Sequence, residues 1–413
     1  MKDARHRVAV TGLGALSCVG NGKDGLWKGA LGLGGPGVQG LTRFDAAAFG
    51  SRIAGQVDGF EPTSYMDAQK AKRLDRFAQF SLATARMALL DSGLELSALD
   101  PERFGIYAGS ALGGIAFAEE QHGLYMQKGL RGVRPTLAIS VFGGASSCNI
   151  AMELGTFGPN IANANSCASG AIAVGEAARL IARGETSTML AGAVECPLSP
   201  LVFGAFALIR AMSTRNGDPA GASRPFDAQR DGFVMAEGAG MLVLEQWEQA
   251  QARGATIYAE VLGYATTNDA FSMTSPRTDA AQSLRCMRLA LQDAACAPEE
   301  LGYINAHGSS TPLNDTYESL AITRLLNGAK VPVSATKGAH AHALGASGAM
   351  ELVLSAQVFG KGLLPGTLNL SEVAEDCKGL ELFSQAREAR VDRVLSNSFG
   401  FGGINACVVL GRG

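Results

Sequence analysis

Residues 163–171 read Asn-Ala-Asn-Ser-Cys-Ala-Ser-Gly-Ala, and 178 positions after its last four letters the chain repeats them as Ala346-Ser-Gly-Ala349. The same offset relates Gly184 to Gly362. Each copy opens an amphipathic, Ala-rich stretch that its glycine closes. Each also begins beside an unusual residue: Cys167 in one case, the Lys337–His342 stretch in the other. A four-letter match alone is weak. Motif, segment length and terminal glycine together point to two similar halves, 1–255 and 256–413. No Pro- or Ser-rich linker separates them, so an extensive shared interface is expected.

Outward from these motifs, short apolar runs alternate with helical periodicity. Strands are predicted at 7–13, 104–109, 188–194, 240–245, 257–264, 302–306, 331–335, 393–397 and 405–410. Helices are predicted at 73–92, 168–183, 281–295, 315–327 and 346–360. That alternation predicts α/β layers around a largely buried sheet.

The bulk numbers agree. The 413 residues suffice for two packed halves, and 47% hydrophobic with 18% charged residues argues against disorder. A net charge of -3 gives no electrostatic footprint for nucleic acid. Eight scattered cysteines without a CxxC predict neither a zinc site nor a disulfide framework. The opening MKDARHRVAVTGLG lacks the long apolar core of a signal peptide, and no run reaches the length of a membrane span. A cytoplasmic location is the expectation.

Cys167 precedes a long helix. Helix N-termini favour thiolate and present N–H groups to a developing oxyanion. A buried structural cysteine is the competing reading. His307 stands at the end of a strand, in Asn305-Ala-His-Gly-Ser-Ser-Thr-Pro312, with Asp315 and Glu318 on the helix that follows. Strand ends of α/β folds are where sites gather, although on this stretch alone a turn histidine bonded to its neighbours is the better reading. His342 also precedes a helix. His340 beside it raises a metal-ligand reading, but no carboxylate or cysteine stands at useful spacing. Lys337 could orient something anionic or be an ordinary surface lysine. Gly400-Phe-Gly-Gly403 reads as a mobile loop or a simple glycine turn. Neither it nor Val10-Thr-Gly-Leu-Gly14 is a dinucleotide fingerprint.

Taken in order along the whole chain, the motifs resemble the elongating β-ketoacyl-acyl-carrier-protein synthases, of the thiolase-like fold. They are Val10–Gly14, Asn165-Ser-Cys-Ala-Ser-Gly170, Ala211-Met-Ser-Thr-Arg-Asn216, Ser223-Arg-Pro-Phe-Asp227 and Arg230-Asp-Gly-Phe-Val234. Asn305–Gly308, Thr336-Lys337, Leu344-Gly-Ala-Ser-Gly348 and Ser396-Asn-Ser-Phe-Gly-Phe-Gly-Gly403 continue the series. The resemblance implies a five-layered α-β-α-β-α fold built from two similar halves. It implies decarboxylative Claisen condensation, with Cys167 as the acylated nucleophile and His307 and His342 bonding the malonyl thioester carbonyl. Lys337 and Glu318 would support the histidines. The N–H groups of Cys167 and Phe401 would form an oxyanion hole, with Phe401 as a gate. Ser309 and Thr311 would contact phosphopantetheine, and Leu112 and Phe206 would line the acyl pocket.

By the same resemblance no redox cofactor is required, and a structural monovalent cation is expected among Asn305, Glu351, Ser396 and Asn397. The partner would be an acidic acyl carrier protein, docking on basic residues drawn from Lys70, Lys72, Arg73, Arg76, Lys128, Arg131, Arg134 and Arg210. A homodimer is implied, or a heterodimer with a chain-length partner. The chain departs from the pattern at Ser309, Gly338-Ala339, His340, Ala341 and Ile404. Ala341 stands for a glycine just before His342, and Ile404 for a threonine after the Gly-Gly pair. Fatty-acid elongation is the function the resemblance implies first; these departures raise the alternative of a specialised type II polyketide or aryl-polyene pathway with the same chemistry. The intact Cys167 and both histidines argue against a non-catalytic partner subunit, and the Lys337 motif argues against a degradative thiolase.

Overall fold

A computed structural model describes residues 5–413; the first four residues of the N-terminal reading lie outside it. Ten strands carry the architecture. The first five are β1 (Val8–Ser17), β2 (Phe104–Gly109), β3 (Asn160–Asn163), β4 (Thr188–Glu195) and β5 (Gly238–Gln246). The second five are β6 (Ala259–Asn268), β7 (Tyr303–Asn305), β8 (Pro332–Ser334), β9 (Arg393–Gly400) and β10 (Ile404–Arg412). From its outer edge inward, the first set runs β3-β2-β4-β5-β1 and the second runs β8-β7-β9-β10-β6. Both therefore place their third, second, fourth, fifth and first strands in that order. Both are parallel through their first three positions and antiparallel through the rest.

The two sets join edge to edge where Ala9 and Val10 of β1 pair with Glu260 and Ala259 of β6. With a two-residue edge strand at Glu381–Leu382, they form one 11-stranded sheet. β1, β4 and β5 are buried along their whole length. Helices on both faces require that, and it explains why these runs are apolar without alternation.

Five helices define the layers: α1 (Arg76–Ser92), α2 (Ser169–Ala182), α3 (Ala281–Asp293), α4 (Pro312–Leu326) and α5 (Ser347–Lys361). α1 covers the outer face of β1 and β5, α3 covers β6 and β10, and α4 packs on α3. α2 and α5 lie against each other between the two sheet sections. They approach so closely that a Cβ on Gly170 would stand 2.6 Å from the Ala349 nitrogen, and one on Gly348 3.1 Å from the Ala171 nitrogen. The repeated Ser-Gly-Ala is therefore a helix-crossing motif in both copies. The glycines of Val10–Gly14 have a similar cause. A Cβ on Gly12 or Gly14 would collide with carbonyl oxygens of Ala88 or Thr84 on α1.

The predicted strands and the α2, α3, α4 and α5 segments lie where expected, within a few residues at their ends. The segment 73–92 does not form one helix. Residues Ala68–Arg73 make a separate short helix, Leu74 is extended, and the Asp75 carboxylate caps α1 by accepting the Ala78 N–H at 3.3 Å. Strand β3 and helices Ile115–Lys128, Ala145–Leu154 and Pro200–Leu208 had no sequence expectation. No helix among the described residues is long and apolar enough to cross a membrane.

Candidate active site

Cys167 sits in a tight turn, Ser166–Ala168, that leads into α2. Ser166 takes φ 52°, a left-handed conformation that is strained for a residue with a Cβ. Gly400, at the end of β9, packs on this turn: a Cβ there would stand 3.0 Å from the Cys167 nitrogen. Burial pushes the Cys167 thiol up, while the Ser166 hydroxyl, the Lys337 charge and the Phe401 N–H draw it back. The structural-cysteine reading fails on position, because Cys167 lines a cavity of about 360 Å³ that it shares with His307 and His342.

His307 and His342 come from opposite directions, one after β7 and the other ahead of α5. Their rings meet edge to face, with centroids 5.2 Å apart at 79°. Both are 3% exposed. Burial, and next the charge of Lys337, hold both well below the ordinary histidine value, so both are neutral. Lys337 Nζ is 3.4 Å from His307 Nδ1. An ammonium is donor-only, so Nδ1 accepts and the ring proton sits on Nε2. His342 Nδ1 pairs with the Ser347 hydroxyl at 2.9 Å, the first residue of α5. Phe233 packs its ring against His342 at 5.5 Å and 78°.

Lys337 is not a surface residue: its side chain is fully buried. It donates to the His307 carbonyl at 2.6 Å and to Glu351 Oε1 at 2.5 Å. Glu318 also fixes His307, through its backbone. Its two oxygens accept the His307 and Gly308 N–H groups, each at 2.8 Å, while Asn397 donates to Oε1 at 3.2 Å. Asp315 serves a neighbouring loop, accepting the Phe226 N–H at 2.9 Å, and burial raises it to about 6.

Ser309 and Thr311 share a hydrogen bond of 2.8 Å on the cavity wall, and Thr311 also caps α4. Phe401 stacks on Phe206 (6.2 Å, 20°), and Phe206 meets Phe233 edge-on. Leu112 and Phe206 do not line the cavity; they belong to the apolar cluster that packs around Cys167. His340 turns away from its predicted company: its Nε2 bonds Thr336 Oγ1 at 3.0 Å, and burial lowers it to about 3. No group of three or more His, Cys, Asp or Glu suited to a metal stands among the described residues.

The donor set suggested for a cation is of another kind. Asn305 and Ser396 are register partners on β7 and β9, and Asn305 Oδ1, Ser396 Oγ and Glu351 Oε2 are buried without a hydrogen-bond partner. Three orphaned oxygens fit a hard cation. The Asn397 side chain is engaged elsewhere, since it donates to Glu318 and accepts from Cys407.

The basic residues divide. Arg76 is spent inside the fold, on Glu237 at 2.6 Å and on the Val57 carbonyl. Lys70 pairs with Glu153. Neither is therefore a free docking cation. Lys72, Arg73, Lys128, Arg131 and Arg210 are exposed. Arg134 donates to the carbonyls of Lys72 and Arg73, which brings the 70–73 and 128–134 segments into one patch, and Arg210 lines the cavity mouth.

The family model for the beta-ketoacyl synthase N-terminal domain matches residues 5–250, and that for the C-terminal domain matches 258–371. The chain belongs to the beta-ketoacyl synthase family. A curated synthase of Coxiella burnetii, "3-oxoacyl-[acyl-carrier-protein] synthase 2", is 41% identical over 99% of this chain and 99% of its own. Its namesake from Synechocystis is 40% identical over 97% of both. Among solved structures, the ishigamide ketosynthase/chain length factor superposes with a TM-score of 0.91 at 34% identity, covering 99% of this chain and all of that one. A beta-ketoacyl synthase from Burkholderia phymatum gives 0.91 at 33%, with the same coverage. These synthases share the thiolase-like fold, and membership makes this chain an acyltransferase-class enzyme.

Two residues of this synthase's site escaped sequence reasoning. Ser347 lies in the repeated motif, where the sequence alone predicts only a helix. Phe233 lay in a quoted motif without a role. Both could have been found by asking what a helix-start hydroxyl and a buried aromatic do beside His342.

Proposed function

We propose that the protein catalyses decarboxylative Claisen condensation between an acyl chain held on Cys167 and a malonyl thioester carried by acyl carrier protein. The observation that carries this is the pair of neutral, buried imidazoles facing one cavity with the thiol.

In the first step Cys167 Sγ attacks the acyl thioester of the carrier. The carbonyl oxygen takes the negative charge between the Cys167 and Phe401 N–H groups. The pantetheine sulfur leaves with the thiol proton, and Cys167 keeps the acyl group. In the second step the malonyl thioester enters past Ser309 and Thr311. Its carbonyl oxygen lies against Nε2–H of His307 and of His342. As CO2 departs, the C–C electron pair becomes an enolate whose oxygen those two donors stabilise. The enolate carbon attacks the acyl-Cys carbonyl, the oxyanion returns to the same hole, and the Cys167 thiolate is expelled. A charged imidazolium would lose its proton to the enolate, so neutrality of the histidines matters. Lys337 enforces it while donating into the pair.

No redox cofactor or catalytic metal enters these steps. A monovalent cation held by Asn305, Glu351 and Ser396 would tie β7, β9 and α5 together and supply structure alone. The carrier docks on the Lys72–Arg73–Lys128–Arg131 patch and delivers its arm past Arg210. Strand β3 ends the sheet with an edge unpaired among the described residues, and exposed Met152 and Phe157 lie on the helix that packs on it and the loop that leads into it; they support a dimer through that face. We read the chain as two halves that divide near residue 255, acting in the cytoplasm. Incubation with acyl carrier protein should add one acyl mass to Cys167, and malonyl carrier protein should then release a 3-oxoacyl product. Acylation without CO2 release would overturn the reading.

A second substrate range is favoured by the likeness to the ishigamide ketosynthase/chain length factor and by the Ala341 and Ile404 departures: a polyketide or polyene chain, elongated in a heterodimer. Turnover of saturated against conjugated acyl carriers separates the two.

A further inference from the structure

Glu195 ends β4 with its side chain fully buried. It touches neither Cys167 nor a histidine by hydrogen bond, and the condensation chemistry does not use it. Its carboxylate nevertheless gathers four donors from two loops. Oε2 accepts the N–H groups of Ala111 at 2.7 Å and Gly345 at 3.1 Å. Oε1 accepts the Leu112 N–H at 3.2 Å and the Ser110 hydroxyl at 3.1 Å.

One of these loops carries Leu112, in the apolar cluster around Cys167. The other, Leu344–Ala346, is the turn between His342 and Ser347, the two residues that orient each other. The turn is strained, with Leu344 at φ 41°, and Leu344 lines the cavity with Cys167. It is also packed without slack, since a Cβ on Gly345 would stand 2.4 Å from the Ala111 nitrogen. Burial raises Glu195 to about 7, with its donors pulling the other way.

We propose that Glu195 is a positioning residue for His342: its carboxylate occupies the backbone donors of the Leu344–Ala346 turn and locks that turn to the acyl-side loop 110–112. The inference rests on the proposed condensation. His342 owes its ring orientation to Ser347, and Ser347 owes its place to a turn whose strain Glu195 offsets. An amide at this position keeps size but presents two N–H donors toward N–H groups, so the clamp opens on one side.

The test separates the half-reactions. Glu195→Gln and wild type are compared for acylation of Cys167 by a carrier bearing a short saturated acyl group, read by intact mass. They are then compared for single-turnover CO2 release from malonyl carrier protein by the acylated enzyme. Acylation within about twofold of wild type, with CO2 release slowed about tenfold or more at saturating malonyl carrier, is the expected split. Equal loss in both half-reactions, or loss in neither, overturns the inference. Should Glu195→Gln not fold, Ser110→Ala removes the hydroxyl bond to Oε1 together with the Leu112 and Gly113 N–H bonds that the same hydroxyl accepts, and so loosens the 110–112 side of the clamp. It should show the same split at about two- to threefold; its absence overturns the inference equally. A wild-type protein that acylates but releases no CO2 refutes the condensation reading instead, and that result is seen before any variant is scored.

Discussion

Ser166 at φ 52° introduces Cys167, and Leu344 at φ 41° introduces Gly345. Counted at the 178-residue offset, these are the same two positions of the repeat, followed by Ala-Ser-Gly-Ala in both copies. Each turn starts a central helix, and each is met by the end of the fourth strand of the opposite half: Gly400 packs on Cys167, Glu195 on Gly345. The backbone device is duplicated and the contents differ. In the first elbow the proposed mechanism assigns the N–H groups to a substrate oxyanion. In the second a protein carboxylate already fills that role, and there is no room for a side chain. On the proposed mechanism one elbow performs the chemistry, and its twin holds still the histidine that chemistry needs.

The comparison breaks most completely at the nucleophile. Cys167→Ala should fold normally and form no acyl-enzyme, so the mass shift disappears and condensation falls to background. The next effect tests the partner site. His342→Ala and His307→Ala each remove one enolate donor, so acylation should persist while CO2 release drops on the order of 10²–10³-fold, read in single-turnover assays. Equal loss in acylation would contradict the division of labour between the elbows. A side chain forced into the silent elbow comes third. Gly345→Ala should lower stability by about 3 kcal/mol through overpacking against Ala111 and Glu195, measured by denaturant unfolding.

The smallest expected effects sharpen the electrostatics and the strain. The depressed titration of both site histidines means that they stay neutral below the ordinary value of about 6.5. Histidine-selective NMR should therefore show His307 and His342 uncharged at pH 6, whereas a solvent-exposed histidine is largely protonated there. Ala341 takes φ 57°, so the turn before His342 keeps a glycine-like conformation despite its Cβ. Ala341→Gly relieves about 1–3 kcal/mol of backbone strain. It loses about 0.8 kcal/mol of buried methyl and about 0.7 kcal/mol through added freedom of the unfolded chain. A gain near 0.5 kcal/mol is expected, and a clear loss of stability would show that the methyl group matters more than the turn.

Much of this was legible beforehand because the physics was local. Apolar runs marked the buried strands, and the Ser-Gly-Ala repeat marked both central helices. Cys167, His307 and His342 announced themselves through family motifs. What stayed hidden depended on burial. Local sequence left Lys337 open between an anion anchor and a surface lysine, and only the resemblance gave it and Glu318 a role; how Lys337 reaches His307 and Glu351 depends on its burial. Arg76 and Lys70 looked free because their carboxylate partners, Glu237 and Glu153, are distant in sequence. Glu195 gave no signal, since an acid at the end of an apolar strand looks like a strand terminus. Strand β3 was missed because Asn160–Asn163 is short, half polar and at the sheet edge.

Phe401 presents its ring to Phe206 and its N–H to the thiol of Cys167. Any displacement of Gly400–Gly403 that swings the ring aside also carries that N–H away. On the proposed mechanism an acyl group waiting on Cys167 would therefore lose electrophilic activation whenever the site stands open to solvent. It regains that activation only on closure around a second substrate. Protection from hydrolysis and readiness to condense would thus both be set by the position of a single residue.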